Sequence, residues 1–292
     1  MRFDIRYRTV FSYEQPVVES QNVLRACPAS DQHQQVLHYD VRTTPSSRVF
    51  SYFDHWGTRV DAFGVRLPHD HLEVEATASV ETLPRQPMTA SPSREDLLDD
   101  WFRDQHLEFL EKSPHANGGP QVAAEAREAT KDVGDDVVGM ILALHRHIAT
   151  GFEYRPGATY VGVDVEEVFA ARAGVCQDFA HAVIAMARAL SIPARYVSGY
   201  LFATDDAEGA DPDVDEVEVS THAWVEFAVP YGGWWALDPT NRQEGSVRHI
   251  KIGHGRDYDD VAPLRGVYLG PAEHDLDVSV TIRRTAQQQQ QQ

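Results

Sequence analysis

The chain reads as an α+β protein, with an antiparallel, sandwich-like β domain ahead of a core in which a helix packs on a second antiparallel sheet. Three observations predict this. Strand composition runs from residue 2 to about residue 85, with period-two alternation at Phe3, Ile5 and Tyr7 and clearest over 72–80, and the period turns helical beyond Ser93. A cysteine, Cys176, then stands at the head of a buried helical run and is followed by strand-like segments.

In chain order, Phe3, Ile5 and Tyr7 alternate with Asp4, Arg6 and Arg8. Segments 36–41, 48–53, 59–67 and 72–80 also have strand composition, separated by turn-like stretches at Pro45-Ser46-Ser47, His55-Trp56-Gly57-Thr58 and Pro68-His69-Asp70-His71. Pro84, Pro87 and Pro92 mark a boundary, so the expected division is a β domain over 1–85, a core over 94–285 that includes a final strand, and a frayed glutamine tail over 286–292. Ser93 with Glu95 and Asp96 suits a helix start, and Asp135 or Asp136 suits the cap of a longer helix carrying Val137, Ile141, Leu144 and Ile148. Asp164 to Ala171 reads as a short helix.

The central helix runs from Val175 to Leu190, with Val175, Phe179, Val183, Met186 and Leu190 near one apolar stripe, and Pro193 stops it. Tyr196 to Phe202 reads as a strand. Residues 204–218 carry eight acids and no bases, which suits a solvated loop or a gate over a cleft. Val219, Thr221, Ala223, Val225, Phe227 and Val229 share one strand face, leaving His222, Trp224 and Glu226 on the other. Trp234 to Asp238 follows as the second arm of a hairpin, and Leu276, Val278, Val280 and Ile282 form a last strand.

Acidic residues outnumber basic ones 45 to 26 in 292 residues, a field that disfavours nucleic acid and anionic membranes as partners. Only Lys112, Lys131 and Lys251 are lysines. Residues 1–20 lack a signal-peptide core, and no apolar run is long enough to span a bilayer, so a soluble cytoplasmic protein is expected. Cys27 precedes a proline in the β region and Cys176 opens a helix, settings that argue against a disulfide between them.

A thiol of ordinary pKa, about 8.5, needs activation at neutral pH. A helix N-terminus, an imidazole and a carboxylate that orients the imidazole would together supply it. Cys176, His222 and Asp238 occur in that order, the last two on adjacent strands. First-turn amides beside Cys176 could also stabilise an oxyanion, with Tyr154 and Tyr160 as further candidates. Gln177 and Asp178 could orient the site or cap the helix. His69 and His71, or His145 and His147, lack partners at metal-site spacing, so neither metal nor cofactor is expected.

Gly174-Val175-Cys176-Gln177-Asp178-Phe179-Ala180, Ile192-Pro193-Ala194-Arg195-Tyr196-Val197-Ser198-Gly199-Tyr200, His222-Ala223-Trp224 and Asp238-Pro239-Thr240-Asn241 resemble the bacterial transglutaminase-like superfamily. Residues 255–266, from Gly255-Arg256-Asp257-Tyr258 to Leu264-Arg265-Gly266, are similar to its prokaryotic branch, and the N-terminal β region resembles the domain that accompanies this core. The resemblance implies a papain-like core with Cys176 as nucleophile, His222 as base and acid, and Asp238 as orienting residue. It implies acyl transfer on amides of a protein or peptide substrate, by hydrolysis as a peptidase or amidase, or by transamidation of glutamine. A non-catalytic binding module on the same fold is the alternative of another class.

Overall fold

The computed structural model describes residues 1–160, 162–203, 215–270 and 273–285. Strands β1 (Arg2–Val17), β2 (Glu19–Leu24), β3 (Gln34–Thr44), β4 (Phe50–Phe53), β5 (Arg59–Val65) and β6 (His69–Thr82) come first. Helices α1 (Asp100–Gln105), α2 (Pro120–Thr130) and α3 (Val137–Gly151) follow, then β7 (Glu153–Tyr154), α4 (Val165–Ala171), β8 (Ala173–Gly174) and α5 (Cys176–Ala189). The remainder is β9 (Ala194–Leu201), β10 (Glu216–Val219), β11 (His222–Val229), β12 (Gly233–Asp238), β13 (Gln243–Glu244), β14 (His249–Gly255), α6 (Tyr258–Val261), β15 (Leu264–Leu269) and β16 (His274–Thr285).

Two antiparallel sheets, ordered β10-β16-β1-β6-β3 and β15-β2-β5-β4, share one apolar core. Phe3, Ile5 and Tyr7 point into it while Arg2, Asp4, Arg6 and Arg8 take the other face, as period-two patterning requires. Tyr200, Phe202, Ile250 and Ile252 reach into the same core from β9 and β14, so the sandwich sits against the second unit. That unit is an antiparallel sheet ordered β13-β12-β11-β9-β14, with α5 packed against the face bearing Ala223, Val225 and Phe227.

Helix α5 is buried on every side from Asp178 to Arg188, and the expected single stripe is replaced by burial all round. The reason is its position between the sheet and α2, α3 and α4, which enclose it. Burial of Phe179, Val183, Ile184 and Met186 contributes about 1.5–3 kcal/mol each.

Four expectations shift. The helix start at Ser93 yields only one short 3₁₀ helix, Asp96–Leu98, where the Ser93 amide and hydroxyl donate to Asp96 at 2.7 and 2.9 Å; α1 begins after Asp99, whose carboxylate accepts from the Phe102 amide at 2.9 Å. The strand expected from Val219 to Val229 is broken at Ser220-Thr221, with β10 pairing β16 in one sheet and β11 pairing β9 and β12 in another. The final strand, expected within the 94–285 core, pairs with β1 over Arg2↔Thr285 to Tyr13↔His274, because its inward Val280 and Ile282 complete the sandwich. Strand β2 carries the buried polar residues Ser20 and Asn22, which hid it from a hydrophobic reading. Of the acidic loop expected over 204–218, residues 204–214 lie outside the described residues, as does the glutamine tail, and the loop's last three residues belong to β10.

Both cysteines are free, Cys27 buried and Cys176 half-buried. Among the described residues no helix is long and apolar enough to cross a membrane.

Candidate active site

Cys176 is the first residue of α5, and the N-cap position before it is Val175, in extended conformation. A valine offers no acceptor, so no side chain caps the helix start from that position. The Asp178 carboxylate instead reaches back, accepting from the Val175 amide at 2.8 Å and from the Thr159 hydroxyl at 2.6 Å. Asp178 therefore braces the turn that carries Cys176 through the Val175 amide, without engaging the first-turn amides. Gly174 permits this, since a Cβ there would lie 2.6–3.0 Å from the Asp178 side chain. The short parallel pair β7-β8 fastens Tyr154 beside Gly174. Half-exposed Tyr154 lies on the edge of Phe179, near enough for Cys176 charge to add to burial in raising its phenol. Tyr160 is exposed and no such contact ties it to Cys176.

His222 opens β11 and Asp238 closes β12, so both lie at the same end of the antiparallel sheet. His222 Nε2 and Asp238 Oδ2 are 2.7 Å apart, and Cys176 stands close enough for its charge to act on the ring. Burial disfavours the imidazolium, but Asp238 and Cys176 outweigh it and push His222 up to about 10. At neutral pH the ring therefore carries its proton. Burial would likewise raise Asp238, yet the bonds from His222 and His249 hold its carboxyl well below the usual carboxylate range.

Asp238 is fully buried and accepts from five donors. The Thr240 and Asn241 amides reach Oδ1 at 3.0 and 3.2 Å. Oδ2 takes His222 Nε2, Asn241 Nδ2 at 2.7 Å and His249 Nε2 at 3.2 Å. Below it, Trp224 is fully buried and meets His249 edge-on at 5.2 Å. Gly199 is required here, because a Cβ would stand 2.3 Å from the Ile250 carbonyl and 2.5 Å from the Trp224 ring. Behind Asp238, the buried His145 lies near the Asp238 main chain, and its Nε2 has no hydrogen-bond partner among the described residues.

Farther along the same sheet face, Glu226 is buried among Lys251 Nζ at 2.6 Å, Arg195 Nε at 2.8 Å and Arg85 at 3.9 Å. Burial alone would raise Glu226, but Lys251 and Arg195 hold it well below the usual range. Gln34 clasps the Lys251 main chain from both sides, which ties this cluster to the sandwich. The Arg256 segment forms a polar network of its own: Arg256 pairs with Asp260 at 2.9 Å, and Asp257 accepts from the His115 and Asp259 amides at 3.1 and 2.9 Å.

The structure thus brings together all three residues singled out in the sequence, and adds His249, Asn241 and His145 around Asp238. Sequence reasoning passed over His249, a histidine at the start of an ordinary-looking strand between Arg248 and Lys251, where no local signal marks it. Donor atoms of His222, Asp238 and His249 lie within 4.8 Å of one another, a composition that metal ions favour. The Ser246 amide, however, donates to His249 Nδ1 at 3.1 Å, so that nitrogen carries the lone pair and Nε2 the proton. A protonated Nε2 cannot ligate, and it donates to Asp238 instead.

The transglutaminase-like superfamily model matches residues 123–239, and the bacterial transglutaminase-like N-terminal region matches residues 3–81. An uncharacterized protein of Mycobacterium leprae is 36% identical over 285 residues, covering 98% of this chain and 99% of that protein. An uncharacterized protein of Mycobacterium tuberculosis is 33% identical over 302 residues, covering 96% and 92%. A protein-glutamine gamma-glutamyltransferase of Pseudomonas aeruginosa is 30% identical over 207 residues, 70% of this chain but 30% of that protein. In fold, the chain is similar to a Cytophaga hutchinsonii structure proposed to be a cysteine protease, with a TM-score of 0.75 and 24% identity over 96% of this chain and 90% of that one.

Proposed function

The chain belongs to the transglutaminase-like superfamily, and from that premise we propose that it performs thiol-dependent acyl transfer on amide bonds, acting as a peptidase or amidase. The observation that carries this reading is a single imidazole, His222, bonded to a fully buried Asp238 and close enough to Cys176 for the thiol's charge to act on it.

An imidazolium and a helix N-terminus both favour the anionic form of an adjacent thiol. The Cys176 sulfur attacks the amide carbonyl, forming a C–S bond and an oxyanion. The uncapped first-turn amides of α5 stand ready to bind that oxyanion. His222 then gives its proton to the departing nitrogen as the C–N bond breaks, which leaves a thioester and a neutral imidazole. A water molecule, deprotonated by His222, attacks the thioester and releases the acid, and the thiol returns. Asp238 keeps the ring oriented and stabilises it while charged.

Hydrolysis is favoured because water is always in excess, and an amine acceptor would need a site that shields it. The P. aeruginosa relative, named as a protein-glutamine gamma-glutamyltransferase, supports transamidation as the second reading. Both are tested by mass spectrometry of wild-type and Cys176→Ala protein incubated with a peptide library, with and without an amine donor. Cleavage by the wild type alone is the expected result. Amine adducts on glutamine, with loss of ammonia, would favour the second reading. Neither product, together with slow alkylation of Cys176 at about pH 6, would overturn both and leave a binding module.

A further inference from the structure

We propose that His249 is a positioning residue for the Cys176–His222–Asp238 site: its imidazole, with the proton on Nε2, holds Asp238 in the orientation His222 needs. This rests on the reading above for its catalytic meaning, but its geometry stands apart from it.

Four observations carry it. His249 is completely buried in its side chain, where a histidine without a task is replaced at no cost by an apolar residue. Its tautomer is fixed by the Ser246 amide, which donates to Nδ1 at 3.1 Å and leaves only Nε2 to carry a proton. That proton faces Asp238 Oδ2 at 3.2 Å. Asn241 Nδ2 bonds the same oxygen at 2.7 Å, so two fixed donors flank the oxygen that accepts from His222. A carboxylate held by His222 alone could rotate about χ2 and exchange its oxygens. Here Oδ1 is tied to two main-chain amides and Oδ2 to His249 and Asn241, so its alignment does not depend on His222.

The charged and titratable groups that face His249 are Asp238, which it bonds, His222, with ring centroids 6.3 Å apart, and Arg85, whose charge acts from farther off. Trp224 closes the remaining side. Burial outweighs Asp238 and keeps His249 below the ordinary histidine range, as a neutral donor requires. A charged His249 would also need a proton on Nδ1, directly against the Ser246 N–H.

The test uses the full chain. Imidazole ¹⁵N spectra of the wild type at neutral pH should show His249 with a bare Nδ1 and a protonated Nε2. His249→Gln keeps an N–H that can reach Asp238, whereas His249→Leu removes it. The expected result is that His249→Leu slows iodoacetamide labelling of Cys176 at about pH 6 by about ten- to a hundredfold, the loss of one hydrogen bond to a buried charge. His249→Gln should restore the rate to within about threefold, with both variants folded by circular dichroism. Wild-type labelling in His249→Leu, or a Gln variant as slow as Leu, would overturn the proposal. A protonated Nδ1 in the spectra would overturn it whether or not the protein turns over any substrate, so failure of the proposed reaction and failure of this assignment are read separately.

Discussion

Replacing Asp238 by asparagine keeps the shape of the side chain and removes its charge. An asparagine has one acceptor oxygen where five donors converge. With that oxygen in the Oδ2 position, its NH₂ group faces the Thr240 and Asn241 amides; with it at Oδ1, the NH₂ faces His222, His249 and Asn241. At least two donors, buried or part-buried, lose their acceptor in either case, at up to about 1–3 kcal/mol each, which gives a loss of at most about 2–6 kcal/mol. The expected fall in Tm is on the order of 10 °C. The imidazole responds as well. A rise from 6.5 to about 10 corresponds to on the order of 5 kcal/mol favouring the charged ring, shared between Asp238 and Cys176 against burial.

The charge on His222 can be read without a substrate, by comparing labelling of Cys176 with iodoacetate and with iodoacetamide. Both reagents need the thiolate, but only the anionic one gains from a neighbouring cation, so their rate ratio reports the imidazolium. In the wild type the ratio should hold through neutrality and fall near pH 10, where His222 loses its proton. In Asp238→Asn the fall should move to markedly lower pH. An unchanged pH profile together with an unchanged Tm would refute the argument, since it would mean that Asp238 neither holds the ring's charge nor satisfies its neighbours.

Val175→Ser should raise stability by about 0.5–2 kcal/mol by capping α5, and should slow acylation because the new hydroxyl competes for the first-turn amides; thermal melts and single-turnover thioester formation check the two halves. Glu226→Gln leaves Lys251, Arg195 and Arg85 without a counter-charge in the interior and should cost about 3–5 kcal/mol by urea denaturation. Because Glu226 and Asp238 are held below the ordinary carboxylate range, their stabilisation is present above about pH 4 and is lost as pH falls through their folded values, so the wild type should lose stability steeply in acid and Glu226→Gln less steeply. Gly199→Ala would drive a methyl group into the Ile250 carbonyl and the Trp224 ring; a soluble variant with wild-type Tm would contradict the packing described.

What the sequence made legible was whatever its local pattern carries. The alternation of β1 and β6, the cap at Asp136 and the motifs at Cys176, His222 and Asp238 each lie within a few residues of one another. What it hid depends on partners far along the chain. The alternation of Val217, Val219, Thr221 and Ala223 runs on without interruption, and nothing local shows that the strand changes sheets at Ser220. His249 gains its meaning from a backbone amide at Ser246 and a carboxylate at Asp238, neither of which marks it as a site residue in the sequence. Nothing in the local sequence shows that Glu226 and Lys251 are buried together.

The pairing of β1 with β16 joins residues 283 positions apart, and it sets an order of events as the chain is made. β1 can find β6 early, but its other side stays open until nearly all of the chain has emerged. An open strand edge invites wrong pairings, with other nascent chains among them. Arg2, Asp4, Arg6 and Arg8, which alternate along β1, are the kind of charged residues that discourage such encounters while the last strand is awaited. Their place in the sequence thus answers to the waiting chain as much as to the finished one.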